Sequence, residues 1–292
     1  MMELYLLKYF LAVVEKGSFT KAAASEYVTQ PTLSAGIKKL ESQMGHALFE
    51  RTNRRVFLTE AGTRFLPRAK SILHECNLAQ QDLEEAQGGA VLRVGILNSI
   101  SHNLVRDFLK VFQRVNQDCV IEIVDGTEQE LRNRLDDRSI DYVISIMRGQ
   151  PSDLMLSLYK EDYCFIVSNG HSLVGHNELQ PKDLLNQEMI VRSNCELLSE
   201  TSRYFTNNNV RPRLVYRTQN DSKAMSMVAA GVGATVVPRS FVTDDVSAHR
   251  LSGFSYDRTI ALYRPLYRMP DAAIKASEAF EFVAKSFFSD NV

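Results

Sequence analysis

The hydrophobic pattern of the chain changes once, near Gly88–Gly89, and this change most constrains the fold. Before it, apolar residues recur three or four positions apart, which is the spacing of helices buried on one face. After it, short apolar runs alternate with helical segments, which is typical of parallel βαβ units. The 292 residues are therefore expected to form an α-helical N-terminal part and a larger α/β part.

The helical part predicts two short helices followed by a longer one. The first covers residues 3–16, Gly17 ends it, and Ser18 caps the second. The third starts near Gln30–Pro31, because proline is tolerated in a first helical turn, and Gly45 ends it. The expected apolar stripes of the three helices consist of Leu4, Leu7, Phe10, Leu11 and Val14; of Phe19, Ala22, Ala23 and Tyr27; and of Leu33, Ile37, Leu40 and Met44. Together they predict a helix-turn-helix.

Polar side chains on the third helix are of the types that contact DNA bases and phosphates. Those off its apolar stripe are Gln30, Thr32, Ser34, Lys38 and Lys39. Two apolar runs, 48–49 and 56–58, then flank a polar turn and predict a hairpin wing. Arg54 and Arg55 in this turn are expected to enter a minor groove, whose negative potential favours arginine.

Charge is divided unequally along the chain. Residues 1–71 contain 11 Lys or Arg and 6 Asp or Glu, a net charge of +5. The remaining residues contain 23 and 29, a net charge of −6. A basic segment joined to an acidic body indicates that the N-terminal part meets a polyanion.

The N-terminal residues resemble the signature of the LysR-type transcriptional regulators. The similarity runs without a gap through Phe10, Gly17-Ser18-Phe19, Ala22-Ala23, Gln30-Pro31, Ser34, Leu40-Glu41, Gly45, Leu48-Phe49, Arg51 and Leu58-Thr59-Glu60-Ala61-Gly62. It implies that the major groove is contacted by Gln30, Pro31, Thr32, Ser34 and Lys38, and it places Arg54 at the minor groove. We add Ser18, Arg51 and Arg55 as candidate DNA contacts. Ala35 departs from the family, many members of which carry arginine after the helix serine.

A long helix is predicted to begin after Thr59, with an interruption at Pro67, and to reach Gln87. Gly62, Leu66, Ala69, Leu73, Cys76 and Leu83 form a heptad-like seam along it. We interpret this seam as a dimerisation surface, because the preceding domain looks too small to cover it; packing on the chain's own domain is the alternative. Gly88–Gly89 is expected to act as a hinge.

The α/β part is predicted to contain two lobes separated by a cleft. Ligands in open α/β sheets bind beyond the carboxyl ends of the strands. The polar loops at these ends supply the candidate effector-binding residues, which are Asn98, Ser99, Ser101, Thr127, Ser193, Cys195 and Asn220. Several of these residues precede helices, so helix capping is the alternative role.

This part also resembles the effector-binding domain of the same family, which is similar to periplasmic solute-binding proteins. The resemblance rests on Leu92-Arg93-Val94-Gly95, Asp141-Tyr142, Asp183-Leu184 and Val228–Gly233 with Pro238. It implies that the hydroxyls of Ser99 and Thr127 face the ligand. The predicted fold is thus an all-α winged helix-turn-helix (1–59), a linker helix with hinge (60–89), and a two-lobed α/β domain (90–292). Lobe I covers 90–163 and 266–292, and lobe II covers 164–265.

The expected function is a sequence-specific, effector-modulated DNA-binding regulator. Its expected partners are an operator duplex, a small effector, other copies of the chain as dimer or tetramer, and RNA polymerase. A peroxide-sensing role through Cys195, whose pKa a helix dipole would lower, is one alternative. A solute-binding protein or a small-substrate enzyme is another. No signal peptide, membrane span, metal-type cysteine spacing or catalytic motif is recognisable, so we expect a cytoplasmic, non-enzymatic protein without cofactors.

Overall fold

A computed structural model gives the structure of residues 2–51, 56–85, 90–150, 152–267 and 269–291. The chain divides into two compact units. The first consists of Met1–Gly88 with Asp137–Ser139, and the second of Gly89–Asp136 with Ile140–Val292. In the described ranges, no helix has the length and apolar character that crossing a membrane would require.

The first unit begins with the three predicted helices. They are α1 (Leu4–Lys16), α2 (Phe19–Ser25) and α3 (Gln30–Met44). Gly17 ends α1 in the left-handed conformation, at φ +61°, and the Ser18 hydroxyl accepts a hydrogen bond from the Lys21 amide. Ala22 and Ala23 are buried where α2 packs against its neighbours. The predicted helix ends and the helix-turn-helix are therefore confirmed.

A short antiparallel hairpin follows, formed by β1 (Phe49–Arg51) and β2 (Val56–Leu58). The Phe49 ring packs within 6 Å of the rings of Phe10 and Phe19, so the hairpin joins the helical core. The strands of the predicted wing are confirmed. Its turn, residues 52–55 with Arg54 and Arg55, lies outside the described residues, as does the side chain of Arg51.

Helix α4 (Glu60–Glu85) corrects two expectations. It continues through the exposed Pro67, where an interruption was predicted. Its first turns pack on the chain's own DNA-binding core: Ala69 is 0% exposed, and Leu66 and Leu73 contact the same cluster. Gly62 approaches this core so closely that a Cβ atom would lie 2.1 Å from the Leu48 carbonyl oxygen.

The predicted seam is therefore wrong in its first half, because the small winged domain does cover Gly62 to Leu73. The side chain of Leu83, the last residue of the seam, lies outside the described residues. The expected hinge at Gly88–Gly89 also lies outside them.

The second unit contains two parallel strand groups, as the sequence indicates, but also antiparallel strands. Its strands are β3 (Val91–Leu97), β4 (Val120–Gly126), β5 (Tyr142–Ile146), β6 (Met155–Ser168), β7 (Glu178–Leu179), β8 (Glu188–Arg192), β9 (Arg213–Thr218), β10 (Thr235–Pro238), β11 (Val246–Leu251) and β12 (Asp257–Tyr263). Its helices are α5 (His102–Val115), α6 (Glu128–Asp136), α7 (Leu198–Asn207), α8 (Asp221–Ala229) and α9 (Asp271–Asn291).

One sheet has the order β4-β3-β5-β12-β6-β11-β7, and β10 also pairs with β6. Strand β3 is parallel to β4 and β5, whereas β12 is antiparallel to β5 and β6. Strands β8 and β9 form a separate parallel pair. The expectation of parallel units alone is thus wrong for β6, because the later strands β10, β11 and β12 all pair with it in antiparallel orientation.

Strand β6 joins the two lobes. Its first half contributes Leu158 and Tyr159 to the core of lobe I, which α5 and α9 cover with phenylalanine side chains. Its second half contributes Phe165 and Val167 to a core of lobe II. Between the two halves lie Lys160, Glu161 and Asp162, so charged groups occupy the point where the chain passes from one lobe to the other.

Candidate functional site

The first turn of α3 carries an exposed polar surface. The Thr29 hydroxyl caps the helix by accepting a hydrogen bond from the Thr32 amide at 3.3 Å. Gln30, Pro31 and Thr32 are exposed, and the Gln30 side-chain amide donates to the half-buried Ser34 hydroxyl at 3.0 Å. This surface presents an amide and hydroxyls in a fixed arrangement, and such groups hydrogen-bond to base edges and phosphates.

The two lysines further along α3 differ. Lys38 is exposed on the helix surface. Lys39 donates to the Glu3 carboxylate at 2.7 Å, which raises the pKa of Lys39. Tyr27, which the sequence placed on an apolar stripe, is 97% exposed with φ +56° in the turn before α3. Tyr27 therefore adds an aromatic group to this surface, and only its position in the turn could have signalled it.

The second unit has a cleft of about 540 Å³ between its lobes. Asn98, His102 and Asp125 line it from lobe I, and Asn220 and Ser222 from lobe II. His102 Nδ1 and the Ser222 hydroxyl lie 3.3 Å apart, so a direct polar contact joins the lobes. The cleft thus offers amide, imidazole and hydroxyl groups to a polar ligand.

The predicted effector residues are only partly brought together. Asn98 and Asn220 line the cleft, and the Asn220 side chain also caps α8 by accepting from the Lys223 amide. The Thr127 hydroxyl and amide both bond to the Glu130 carboxylate, which is the capping role left open above. The Ser193 amide donates to the Thr218 carbonyl, and Ser101 is buried at the start of α5.

Ser99 has a partner that the sequence did not reveal. It is 1% exposed, and both its hydroxyl and its carbonyl oxygen accept hydrogen bonds from the guanidinium of Arg258 on β12. The same guanidinium pairs with Glu161 of β6 and with Glu196 of the loop after β8. Arg258 is separated in sequence from Glu196 by 62 residues, from Glu161 by 97 and from Ser99 by 159, so no local motif could have identified these partners.

Next to this cluster lies a second interlobe pocket of about 360 Å³. It is lined by Ile146, Met147, Arg148, Gly149, Tyr163, Glu196, Leu197, Glu200, Asp257, Arg258 and Thr259. Arg148 is held by the Glu128 carboxylate at 3.0 Å. The interlobe region therefore combines a polar cleft with a pocket walled by buried charges.

Cys195 does not have the environment expected of a redox sensor. It is half-buried beside an apolar pocket of lobe II, and Arg192 Nη1 lies 3.7 Å from its sulfur. Burial raises the pKa of the Cys195 thiol, although the nearby Arg192 opposes this. The expected lowering of its pKa by a helix dipole is therefore wrong. Groups of histidine, cysteine and carboxylate residues able to hold a metal are absent from the described ranges.

Two family models match the chain, one in its N-terminal part and one in its C-terminal part. The model of the "Bacterial regulatory helix-turn-helix protein, lysR family" matches residues 4–63. The model of the "LysR substrate binding domain" matches residues 85–280, which is more than half of the chain. The chain belongs to the LysR family.

Relatives of similar length support this assignment. The Hca operon transcriptional activator HcaR of Escherichia coli is 28% identical over 262 residues, covering 86% of this chain and 88% of that protein. The regulator CysL of Bacillus subtilis is 26% identical over 276 residues, covering 89% and 91%. A full-length OxyR variant from Pseudomonas aeruginosa is 25% identical, with a TM-score of 0.59 and 99% and 98% coverage.

Membership in the family settles the general function. The chain is a DNA-binding transcriptional regulator whose C-terminal unit is an effector-binding domain. A solute-binding protein without a regulatory role is inconsistent with the helix-turn-helix that occupies residues 4–63.

Proposed function

We propose that this LysR-family regulator contacts its operator through the first turns of α3 and responds to a small molecule bound between the lobes of its second unit. The polar interlobe cleft of about 540 Å³ carries the second part of this proposal, because it is lined by side chains of both lobes. A ligand that contacts both lobes stabilises one closure of the cleft over others.

The operator contact is supported by the exposure of Gln30, Pro31 and Thr32 and by the side-chain bond that orients Gln30. A duplex selected by the protein from a random-sequence pool serves as the operator. Gln30→Ala is expected to weaken binding to this duplex by about 1–3 kcal/mol, measured by fluorescence anisotropy. Gln43→Ala, at the far end of α3, is the matched control. Equal affinity of the Gln30 and Gln43 variants would contradict the assignment of α3.

The effector site is tested by thermal unfolding of the full chain with a panel of amines, amino acids, aromatic acids and sugar phosphates. A bound compound stabilises the protein by mass action. Ser222→Trp, which places an indole in the cleft, is expected to abolish this stabilisation. Ser226→Trp, one turn further along α8, is expected to preserve it. Retained stabilisation in the Ser222 variant would remove the cleft from the proposal.

Coupling between ligand and operator is expected to be about 1–3 kcal/mol. A saturating ligand that leaves operator affinity, DNA bending and transcription unchanged would refute the sensing role. RNA polymerase is the partner through which such a regulator acts on transcription. We propose no enzymatic activity, and catalytic turnover by the full chain would contradict this.

Self-association is also part of the proposal. We assign to it the second half of α4, since the packing on the DNA-binding core involves residues up to Leu73, although Glu75 in this half pairs with Arg138 at 2.9 Å. In the second unit, Val111, Val115, Val120 and Ile123 are exposed on α5 and on the edge strand β4. Exposed apolar patches of this kind mark association surfaces. Sedimentation equilibrium of the full chain distinguishes monomer, dimer and tetramer.

A further inference from the structure

Arg258 is buried and lines the 360 Å³ interlobe pocket, and all of its hydrogen-bond donors are already used by protein partners. A guanidinium has five N–H groups. Arg258 Nε and Nη2 face Glu161 Oε1 at 2.9 and 2.8 Å, and Nη2 also donates to the Ser99 carbonyl. Arg258 Nη1 donates to the Ser99 hydroxyl and to Glu196 Oε1. These five contacts match the five N–H groups, so a carboxylate ligand would have to displace protein partners.

The cluster carries more negative than positive charge. Two carboxylates, Glu161 and Glu196, share one guanidinium. The second oxygen of Glu161 accepts from the Ser240 amide at 2.8 Å. Oε2 of Glu196 is buried and has no hydrogen-bond partner in the part of the chain that the structure describes. A buried charged acceptor without a donor is costly, and a ligand that supplies the donor removes this cost.

Glu196 is ionised in this environment. Burial opposes ionisation, but Arg258 and the Tyr163 hydroxyl, which donates to Glu196 Oε1 at 2.5 Å, outweigh it. Together they hold the pKa of the Glu196 carboxyl below its ordinary value. At neutral pH the pocket therefore contains a carboxylate with one oxygen committed and the other unpaired.

Glu200 also lines the pocket and adds to this negative charge. The other two charged lining residues are paired with neighbours: Asp257 with the Lys160 ammonium at 2.8 Å, and Arg148 with the Glu128 carboxylate at 3.0 Å. The unbalanced charge of the pocket is thus negative.

We propose that the 360 Å³ pocket binds a small organic cation, whose ammonium or amidinium group donates a hydrogen bond to Glu196 Oε2. The pocket and the 540 Å³ cleft proposed above for the effector have different lining residues. The inference therefore goes beyond the proposed function by adding a second interlobe ligand and its chemical class. Carboxylate and phosphate ligands are disfavoured, because the guanidinium that would receive them is saturated and two glutamates face them.

The test compares probes of one size and different charge on the full chain. Benzylamine and benzamidine are the cationic probes, benzyl alcohol the neutral one and benzoate the anionic one. Isothermal titration calorimetry is expected to detect the cations and to give the weakest or no binding for benzoate. Glu196→Gln is expected to weaken benzamidine binding by about tenfold or more, as for the loss of a hydrogen bond to a charged group. Glu278→Gln, an exposed change of equal charge on α9, is expected to leave it unchanged.

A second variant keeps the test decisive if Glu196→Gln fails to fold, which could happen because its partner Arg258 is buried. Glu200→Lys changes the charge of the pocket without touching Arg258, and it is expected to weaken the cations severalfold, more strongly at low salt. Benzoate binding as tight as that of benzamidine, cation binding unaffected by both variants, or no cation binding up to the solubility limit would each overturn the inference. The proposed function fails by a different measurement, the absence of specific operator binding by the unaltered chain.

Discussion

The DNA-contacting surface of α3 and the interlobe pocket use polar side chains in opposite ways. On α3, Gln30, Thr32 and Lys38 are exposed, and the hydrogen bonds of Gln30 and Thr32 join residues at most four positions apart. In the pocket, Arg258 is 3% exposed at its side chain and is held by Glu161 and Glu196, 97 and 62 positions away. The first surface is built by local structure, whereas the second exists only once both lobes are folded.

This contrast predicts that substitutions at the two sites have different consequences, for partner binding in one case and for stability in the other. A substitution on α3 alters contacts with a partner and little else, since the exposed side chains carry little of the stability of the unit. A substitution among the buried ions leaves a charge without its partner inside the protein, which is destabilising by several kcal/mol in general. The predictions below test this difference, beginning with the largest effect.

The largest effect is expected at Arg192 and Asp221, whose paired side chains are 1% and 5% exposed in lobe II. Asp221→Ala leaves the Arg192 guanidinium buried without its carboxylate, beside the Val236 carbonyl, the Cys195 sulfur and the Phe241 ring. We expect the free energy of unfolding of the second unit to fall by about 3–5 kcal/mol, measured by urea denaturation.

The matched control is the pair of Arg213 and Glu188, whose side chains are 73% and 45% exposed. Arg213→Ala is expected to change the stability by about 0–1 kcal/mol, because solvent already screens this pair. Comparable losses in the Asp221 and Arg213 variants would mean that burial does not distinguish the two ion pairs.

What the sequence predicted follows the same division between local and distant interactions. The limits of α1 and α3 and the start of α2 were predictable because glycine at positive φ, a capping serine and a proline in the first turn mark helix ends locally. The strand Val91–Leu97 was predictable from one apolar run. The apolar run Tyr163–Val167 predicts only the second half of strand β6. The charged residues Lys160, Glu161 and Asp162 before it are typical of a loop, and only the folded structure shows that Arg258 and Arg239 pair with two of them.

For the candidate sites, too, residues marked by local sequence were found and residues that depend on distant partners were missed. Asn98 and Asn220 could be placed at the cleft because Asn98 directly follows β3 and Asn220 comes two residues after β9. Arg258 was missed because nothing around it in sequence identifies Glu161, Glu196 or Ser99 as its partners. The first half of the seam on α4 was misassigned for a related reason: a heptad-like spacing shows that a face is buried, but not whether the partner is another copy or the chain's own core.

A smaller effect is expected at Cys195, where burial is expected to lower the chemical reactivity of the thiol. Only the thiolate is nucleophilic, and burial raises the pKa of this thiol, so its thiolate fraction grows as the pH rises above neutrality. At pH 7.5 Cys195 is expected to react with iodoacetamide about tenfold or more slowly in the folded chain than in urea. Mass spectrometry of the labelled peptide measures both rates, and Cys195→Ser verifies the assignment.

Fast labelling of folded Cys195 at neutral pH, or a transcriptional response to peroxide that Cys195→Ser abolishes, would restore the redox-sensing alternative. The OxyR variant structure makes this comparison informative, since it matches 99% of the chain at 25% identity.

The smallest effect is expected for the lysines of α3, and it tests whether exposure alone selects the DNA contacts. Both Lys38 and Lys39 belong to α3, but the ammonium of Lys39 is held by Glu3. If Lys38 contacts a phosphate, Lys38→Ala weakens all duplexes by a similar factor and lowers the slope of log affinity against log salt by about 1. Lys39→Ala is expected to change this slope by clearly less, because Glu3 already neutralises that charge. Anisotropy titrations of the selected duplex at several salt concentrations give both slopes. Equal slopes for the two variants would show that Lys39 exchanges Glu3 for phosphate on binding, and that even local pairing on this surface is broken by DNA.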